Sequence, residues 1–335
     1  MPDPTDARWH ATSTGLRTAI AQTVPSHPSL RPTVAAVSAR YRAVQHSARA
    51  SVSSRDEALA YVAYRMPATF QAAGAAMRAA ATAQPAFAPR SLLDAGAGPG
   101  SAAWAALATW PTIGEATLVD REGPMAELGR ELAQRSGMAS LAAGNWVHAD
   151  LRTWTDTPRD LVTAGYLLGE LDTVERDALT DRLWDMTRGL LLLVEPGTPD
   201  GFARIRAARA RLIEAGASVV APCPHDRECP MIAPDWCHFG VRLERSRLHR
   251  RAKGAELSYE DEPYSYVAAS RDPNTERGAR VLRRPMSRKG VIDLRLCTDA
   301  GIVERRVSRR EGTAFKQARR LDWGSSVPQE LDPSG

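Results

Sequence analysis

Apolar positions change their rhythm twice along the chain. Up to residue 90 they recur at helical spacing. Ser53 or Ser54 is placed to cap the run SRDEALAYVAYRM, and Pro67 opens a second run, ATFQAAGAAMRAAATA. A helical N-terminal region over 1–90 follows, closed by a proline-containing linker at 84–90. From 91 to 221 short apolar runs alternate with helix-patterned stretches. Strands are expected at the start of 91–100 and at 115–119, 145–148, 160–166 and 189–194, and helices at 101–109, 124–134, 174–187 and 202–216. Apolar strands separated by helices call for a parallel sheet covered on both faces, an α/β doubly wound domain with ligands at the carboxyl ends of its strands. Past 221 the pattern turns to proline, cysteine, histidine and arginine, with short strands expected at 239–243, 264–269 and 291–296. A small, mostly β, cysteine-containing appendage over 222–325 is the reading, and 326–335 reads as a disordered tail.

Candidate chemistry gathers first at 91–100, SLLDAGAGPG, where an apolar run ends in Asp94 and glycines follow. Gly96, Gly98 and Gly100 let backbone approach a ligand where a Cβ would collide, and the amides opening the next helix face the same place. Two more acids end strands, Asp120 after the second and Asp150 after the third. A carboxylate accepts from both hydroxyls of a ribose, which suits Asp120. The order D-A-G-A-G-P-G departs from the G-x-G-x-x-G of dinucleotide dehydrogenases. It resembles motif I of the class I S-adenosylmethionine-dependent methyltransferases. That resemblance implies a Rossmann-like domain over 91–221 with S-adenosylmethionine as cofactor. It places Asp94 and the glycines along the methionine part, Asp120 on the ribose and Asp150 at the adenine.

The acceptor is less legible. Amine methyltransferases often carry Asn/Asp-Pro-Pro-Tyr/Phe after the fourth strand, whereas 165–170 here reads GYLLGE. Pro222-Cys223 looks like the dipeptide of a cytosine-C5 nucleophile, but it follows the sixth strand and has other cysteines beside it. Tyr166, Glu170 and Glu195 remain as catalytic candidates, at the ends of strands four and five; the alternative is cap or turn chemistry. Tyr61, Tyr64, Arg65 and Met66 form a candidate rim of the cleft, with core packing the plainer reading for the tyrosines.

Charge and cysteine change the picture more. A net charge of +5 conceals an asymmetry, because 238–320 holds 21 Lys and Arg against 11 Asp and Glu, a balance of +10. Such a basic third suggests a polyanion, RNA first. Arg283, Arg284, Arg288 and Lys289 surround a proline in an expected loop, and Arg305, Arg306, Arg309 and Arg310 form a second basic run. A solvated surface is the other reading. Four cysteines are too few for a disulfide scaffold, and three of them fall within 223–237. Cys223, Cys229, Cys237 and Cys297 suit an iron-sulfur cluster or zinc; spacings of six and eight residues favour the cluster, and His225 or His238 leaves a Cys3His zinc site open. No apolar run approaches the roughly 18 residues of a membrane span. The first 15 residues lack the apolar segment of a secretory signal and carry two early acids, which argues for the cytoplasm.

Taken together, RMPAT at 65–69, LLDAGAGPG at 92–100, LGEL at 168–171, EPGTPDGF at 195–202, CPHDRECP at 223–230 and ARRLDWG at 318–324 resemble the methyltransferase-like seventeen family. These are assembly factors of the mitochondrial small ribosomal subunit, with bacterial relatives. The resemblance covers about 50–325 and implies a four-iron, four-sulfur cluster on the four cysteines, S-adenosylmethionine in the Rossmann-like domain, and binding to small-subunit ribosomal RNA by a monomer. Unlike the mitochondrial members, the N-terminus shows no presequence. Two readings stay open: an RNA methyltransferase, and a non-catalytic assembly factor that binds RNA and cofactor. A small-molecule methyltransferase gives the basic third no role.

Overall fold

The computed structural model describes residues 4–24, 30–43, 52–254, 256–273, 278–328 and 331. Four helices open the chain: α1 (Pro4–Thr23), α2 (Leu30–Ala43), α3 (Arg55–Tyr64) and α4 (Met66–Ala83). Ser54 caps α3 by accepting from the Glu57 amide, and Pro67 sits in the first turn of α4, where its missing N–H costs nothing. The alternating segment follows as β1 (Ser91–Ala95), α5 (Ser101–Thr109), β2 (Glu115–Asp120), α6 (Gly123–Ser136), α7 (Ala139–Ala142), β3 (Asn145–His148), β4 (Arg159–Gly165), α8 (Thr173–Asp185), β5 (Thr187–Pro196), α9 (Pro199–Glu214) and β6 (Ser218–Ala221). The rest is β7 (Phe239–Glu244), α10 (Arg247–Lys253), β8 (Tyr259–Ser270), β9 (Arg280–Val281), β10 (Met286–Arg288), β11 (Val291–Thr298), β12 (Gly301–Ser308) and α11 (Thr313–Ala318).

The main sheet runs β3-β2-β1-β4-β5-β8-β6, with β7 also on β8. Its first five strands are parallel, and β8 is antiparallel to β5, β6 and β7. This is the expected doubly wound, Rossmann-like α/β architecture with helical cap and C-terminal β region. Apolar runs are continuous because both faces are covered. In β5, Leu190, Leu192 and Val194 join the core under the N-terminal helices, α5 and α6, while Leu191 and Leu193 join the one under α8 and α9.

Two strands expected in the appendage lie instead in the main sheet. β8 begins five residues earlier than expected, at Tyr259; its first half pairs with β7 and its second half fills the gap between β5 and β6. Val267, Ala268 and Ala269 are small enough for that central position and are completely buried. What remains of the appendage is a sheet of β10-β11-β12 with β9 on β11, over its own core of Val281, Ile292, Leu294, Leu296 and Val307. The expected disordered tail is partly built in: Val327 donates its amide to Ala279 at 2.8 Å, and Val327 and Leu331 are buried in that core. Residues 329, 330 and 332–335 lie outside the described residues. No helix among the described residues is long and apolar enough to cross a membrane.

Helix α1 buries Leu16, Ala19 and Ile20 in the core and adds an aromatic contact near its start. Trp9 stacks on Phe70 of α4 at 4.5 Å and 8°, directly over Gly74, where an added Cβ would lie 1.9 Å from the indole. Gly74→Ala is therefore expected to lower stability in urea unfolding by about 1–3 kcal/mol. An unchanged midpoint would show that the contact does not hold α1.

Candidate functional site

A cleft of about 400 Å³ opens at the carboxyl ends of the parallel strands, bordered by the β1–α5 loop, the acids after β2 and β3, the turns after β4 and β5, and Tyr61, Tyr64 and Arg65 from the cap. Gly96 and Gly98 line it, whereas Gly100 does not: it packs on Leu118 and Trp146. Gly98 (φ +53°) turns its amide onto Asp120 Oδ2 at 2.6 Å, and Asp120 Oδ1 accepts from the Glu122 amide at 2.8 Å. Burial pushes the Asp120 carboxyl up.

The other two acids already have partners. Asp94 lines a smaller cavity beneath the glycine loop, shared with Thr69, Ser101, Tyr61 and Tyr166. Its Oδ2 accepts from the Ala103 amide at 3.0 Å and its Oδ1 from Thr163 Oγ1 at 2.8 Å, so the carboxylate ties α5 to β4. Burial pushes it up to about 7 against those two hydrogen bonds. Asp150 does line the cleft, but Arg152 grips it through Nε at 3.0 and 2.9 Å and holds it down at about 2.

All three catalytic candidates border the cleft. Tyr166 stands at φ +59°, the one described non-glycine residue at positive φ, where a tyrosine is strained by about 1–3 kcal/mol. Its hydroxyl donates to Glu262 Oε1 at 3.2 Å, and Arg65 both stacks over its ring at 4.7 Å and pairs with the same Glu262 oxygen at 2.9 Å. Burial and then Glu262 push the Tyr166 phenol well up. Glu195 is spent on the framework: Oε1 accepts from the Leu168 amide at 2.9 Å and Oε2 from Arg204 Nε at 2.8 Å, while burial raises it. Glu170 has one ion-pair partner, Arg121 at 3.2 Å, and burial pushes it up to about 7, suited to giving or taking a proton near neutrality. Sequence reading missed Arg121, Arg204 and Glu262. Arg121 directly follows a singled-out acid; Glu262 reaches the cleft only through the placement of β8.

A second site lies where α9 meets the small sheet. Cys223, Cys229, Cys237 and Cys297 line one largely apolar pocket. Burial raises Cys223, Cys237 and Cys297, the last to about 12. Arg209 Nε donates to Cys223 Sγ at 3.2 Å, and His225 Nε2 stands 4.0 Å from Cys297 Sγ. His238 stacks on Trp236 at 4.9 Å and does not line the pocket. Thiolates suit a soft metal or a cluster, and these four share one pocket. Among the described residues no three His, Cys, Asp or Glu side chains are gathered as ligands of a single ion.

The eight basic candidates separate. Arg283 is turned inward onto Asp235 and the Trp236 carbonyl, and Arg305 is paired with Glu311. Arg284 is exposed, 3.7 Å from Asp261. Arg288, Lys289, Arg306, Arg309 and Arg310 are exposed at one end of the small sheet, where the Arg309 amide donates to the Gly290 carbonyl at 2.8 Å; Arg306 pairs with Asp293 at 2.6 Å, and Arg288 stands 3.9 Å from the same carboxylate.

A folded-state carboxyl near 7, against about 3.9 when unfolded, means that folding favours protonated Asp94; stability is greatest at low pH and falls as the pH rises through 7. Asp94→Asn removes that loss. In urea unfolding it should gain about 2–3 kcal/mol on the parent at pH 8.5 and little at pH 4.5. A difference independent of pH would refute the assignment.

Comparison with known proteins places this geometry. The chain is 28% identical over 294 residues to the human ribosome assembly protein METTL17, mitochondrial, covering 82% of this chain and 63% of that one. It is 26% identical over 297 residues to Rsm22-cox11 tandem protein 2, mitochondrial, of Schizosaccharomyces pombe, covering 71% of this chain and 38% of that one. Among solved structures it is similar to magnesium protoporphyrin IX methyltransferase from Synechocystis PCC 6803 with bound SAM, at 17% identity and a TM-score of 0.39, over 70% of this chain and 90% of that one. The chain thus spans less than two thirds of the curated relatives it matches. The family model described as mitochondrial small ribosomal subunit Rsm22 matches residues 55–328, and the chain belongs to that family.

Proposed function

We propose that the chain binds S-adenosylmethionine in the large cleft and acts on small-subunit ribosomal RNA during ribosome assembly. The observation that carries the cofactor reading is Asp120. It lines the cleft at the end of β2, and each of its oxygens accepts one backbone amide and has capacity for one more donor, such as a ribose hydroxyl. Asp120 and Glu170 border the cleft beside the glycine loop, and carboxylates there favour a ligand carrying a positive sulfonium. Arg65, Tyr166 and Glu262 form a fixed wall against which an acceptor base is oriented. Glu170 is the group left to accept its proton, and proximity supplies much of the rate.

The name of the human relative supports the assembly role. The RNA surface in this proposal is the end of the small sheet, with Arg288, Lys289, Arg306, Arg309 and Arg310 on phosphates. The proposal also includes a four-iron, four-sulfur cluster on the four cysteines, with zinc as the other occupant; bound there, it would tie 223–237 to β11. A second reading, an assembly factor without methyl transfer, is favoured by the engagement of Glu195 and the Tyr166 hydroxyl in the framework.

Calorimetric titration with S-adenosylmethionine should show one site per chain, weakened about tenfold or more in Asp120→Ala. Equal binding by parent and variant would overturn the cofactor site. Tritium transfer from labelled cofactor to immature small subunits, lost in Glu170→Gln, would support the enzyme; no transfer with binding intact would support the second reading.

A further inference from the structure

Two arginines beside the cysteine pocket lack what every neighbouring arginine has. Arg206, Arg227, Arg283 and Arg295 pair with Glu228, Asp299, Asp235 and Asp235. Arg209 on α9 and Arg280 on β9 are 4% and 7% exposed, line the pocket, and have no carboxylate at ion-pairing distance among the described residues. Their partners are neutral oxygens and one sulfur. Arg209 donates to Cys223 Sγ at 3.2 Å and to the His225 carbonyl at 2.6 Å; Arg280 donates to the Pro222 and Gly324 carbonyls at 2.8 and 2.9 Å. Carbonyls satisfy hydrogen bonds without cancelling charge, and a buried cation without an anion is costly by several kcal/mol.

The anion is supplied by the pocket. A centre of charge 2+ held by four thiolates carries about −2, and one held by three thiolates and a neutral imidazole about −1. Two buried guanidiniums match the first. We infer that Arg209 and Arg280 are the counter-charges of a metal group ligated by all four cysteines as thiolates, and that His225 is not a ligand. This rests on the metal reading of the pocket and its four-cysteine ligation, and adds the two residues that balance the charge of its occupant.

The test uses the full chain, purified without oxygen and reconstituted with iron and sulfide or, separately, with zinc. Metal per chain is measured before and after a fixed incubation with a chelator. Arg209→Met and Arg280→Met should each retain less than a third of the metal the parent retains, Arg209→Lys should retain more than Arg209→Met, and His225→Gln should match the parent. A structural role is separated by urea unfolding. Loaded Arg209→Met should be less stable than the loaded parent, whereas with the metal stripped it should be no less stable, because the buried cation has lost its anion. Parent-like metal retention in both Met variants, equal destabilisation of loaded and stripped forms, or metal loss in His225→Gln overturns the inference. A parent that takes up neither iron nor zinc overturns the metal reading itself.

Discussion

Strand β8 is the constraint on which both sites depend. It enters antiparallel between β5 and β6 in an otherwise parallel sheet and carries β7 on its outer half. One end brings Glu262 under Arg65 and Tyr166 at the cleft; three residues on, the Ser265 hydroxyl donates to the Cys237 carbonyl at 2.8 Å. Helical cap, the turn after β4 and the cysteine segment are thereby fixed to one strand. Because that strand is paired along its length, movement at one site is resisted by the other.

Electrostatics divides the labour in the cleft. Asp94 and Glu195 are buried acids whose oxygens are taken by the framework, and they set the positions of α5, the turn after β4 and α9. Asp120 and Glu170 face the open space. Tyr166 keeps a strained backbone because Val194, Glu262 and Arg65 hold its amide, hydroxyl and ring. Strain of that kind, at the carboxyl edge of a parallel sheet, is what a ligand site requires and a plain core does not.

Much of this was legible in the sequence. Strand cores from 91 to 221 and the helix caps at Ser54 and Pro67 follow from apolar runs and local capping chemistry, and boundaries moved by a few residues. The ends of strands one to three, and so the places of Asp94, Asp120 and Asp150, were readable from the apolar runs; what the sequence does not give is the partner each acid takes, here Thr163 with the Ala103 amide for Asp94 and Arg152 for Asp150. β8 could not be placed, since Val267 to Ala269 reads alike for an edge or a central strand. Arg283 and Arg305 counted as free charge in the sequence, but each has an acid brought to it by the fold.

The central claim is that the loop after β1 and the turn after β4 are two sides of one cofactor cleft. Amide hydrogen exchange with and without saturating S-adenosylmethionine tests it most directly. The account predicts slowed exchange at 96–103 and 166–170 together, with β10 to β12 unchanged. Slowing confined to the small sheet, or none in either cleft segment, would contradict it.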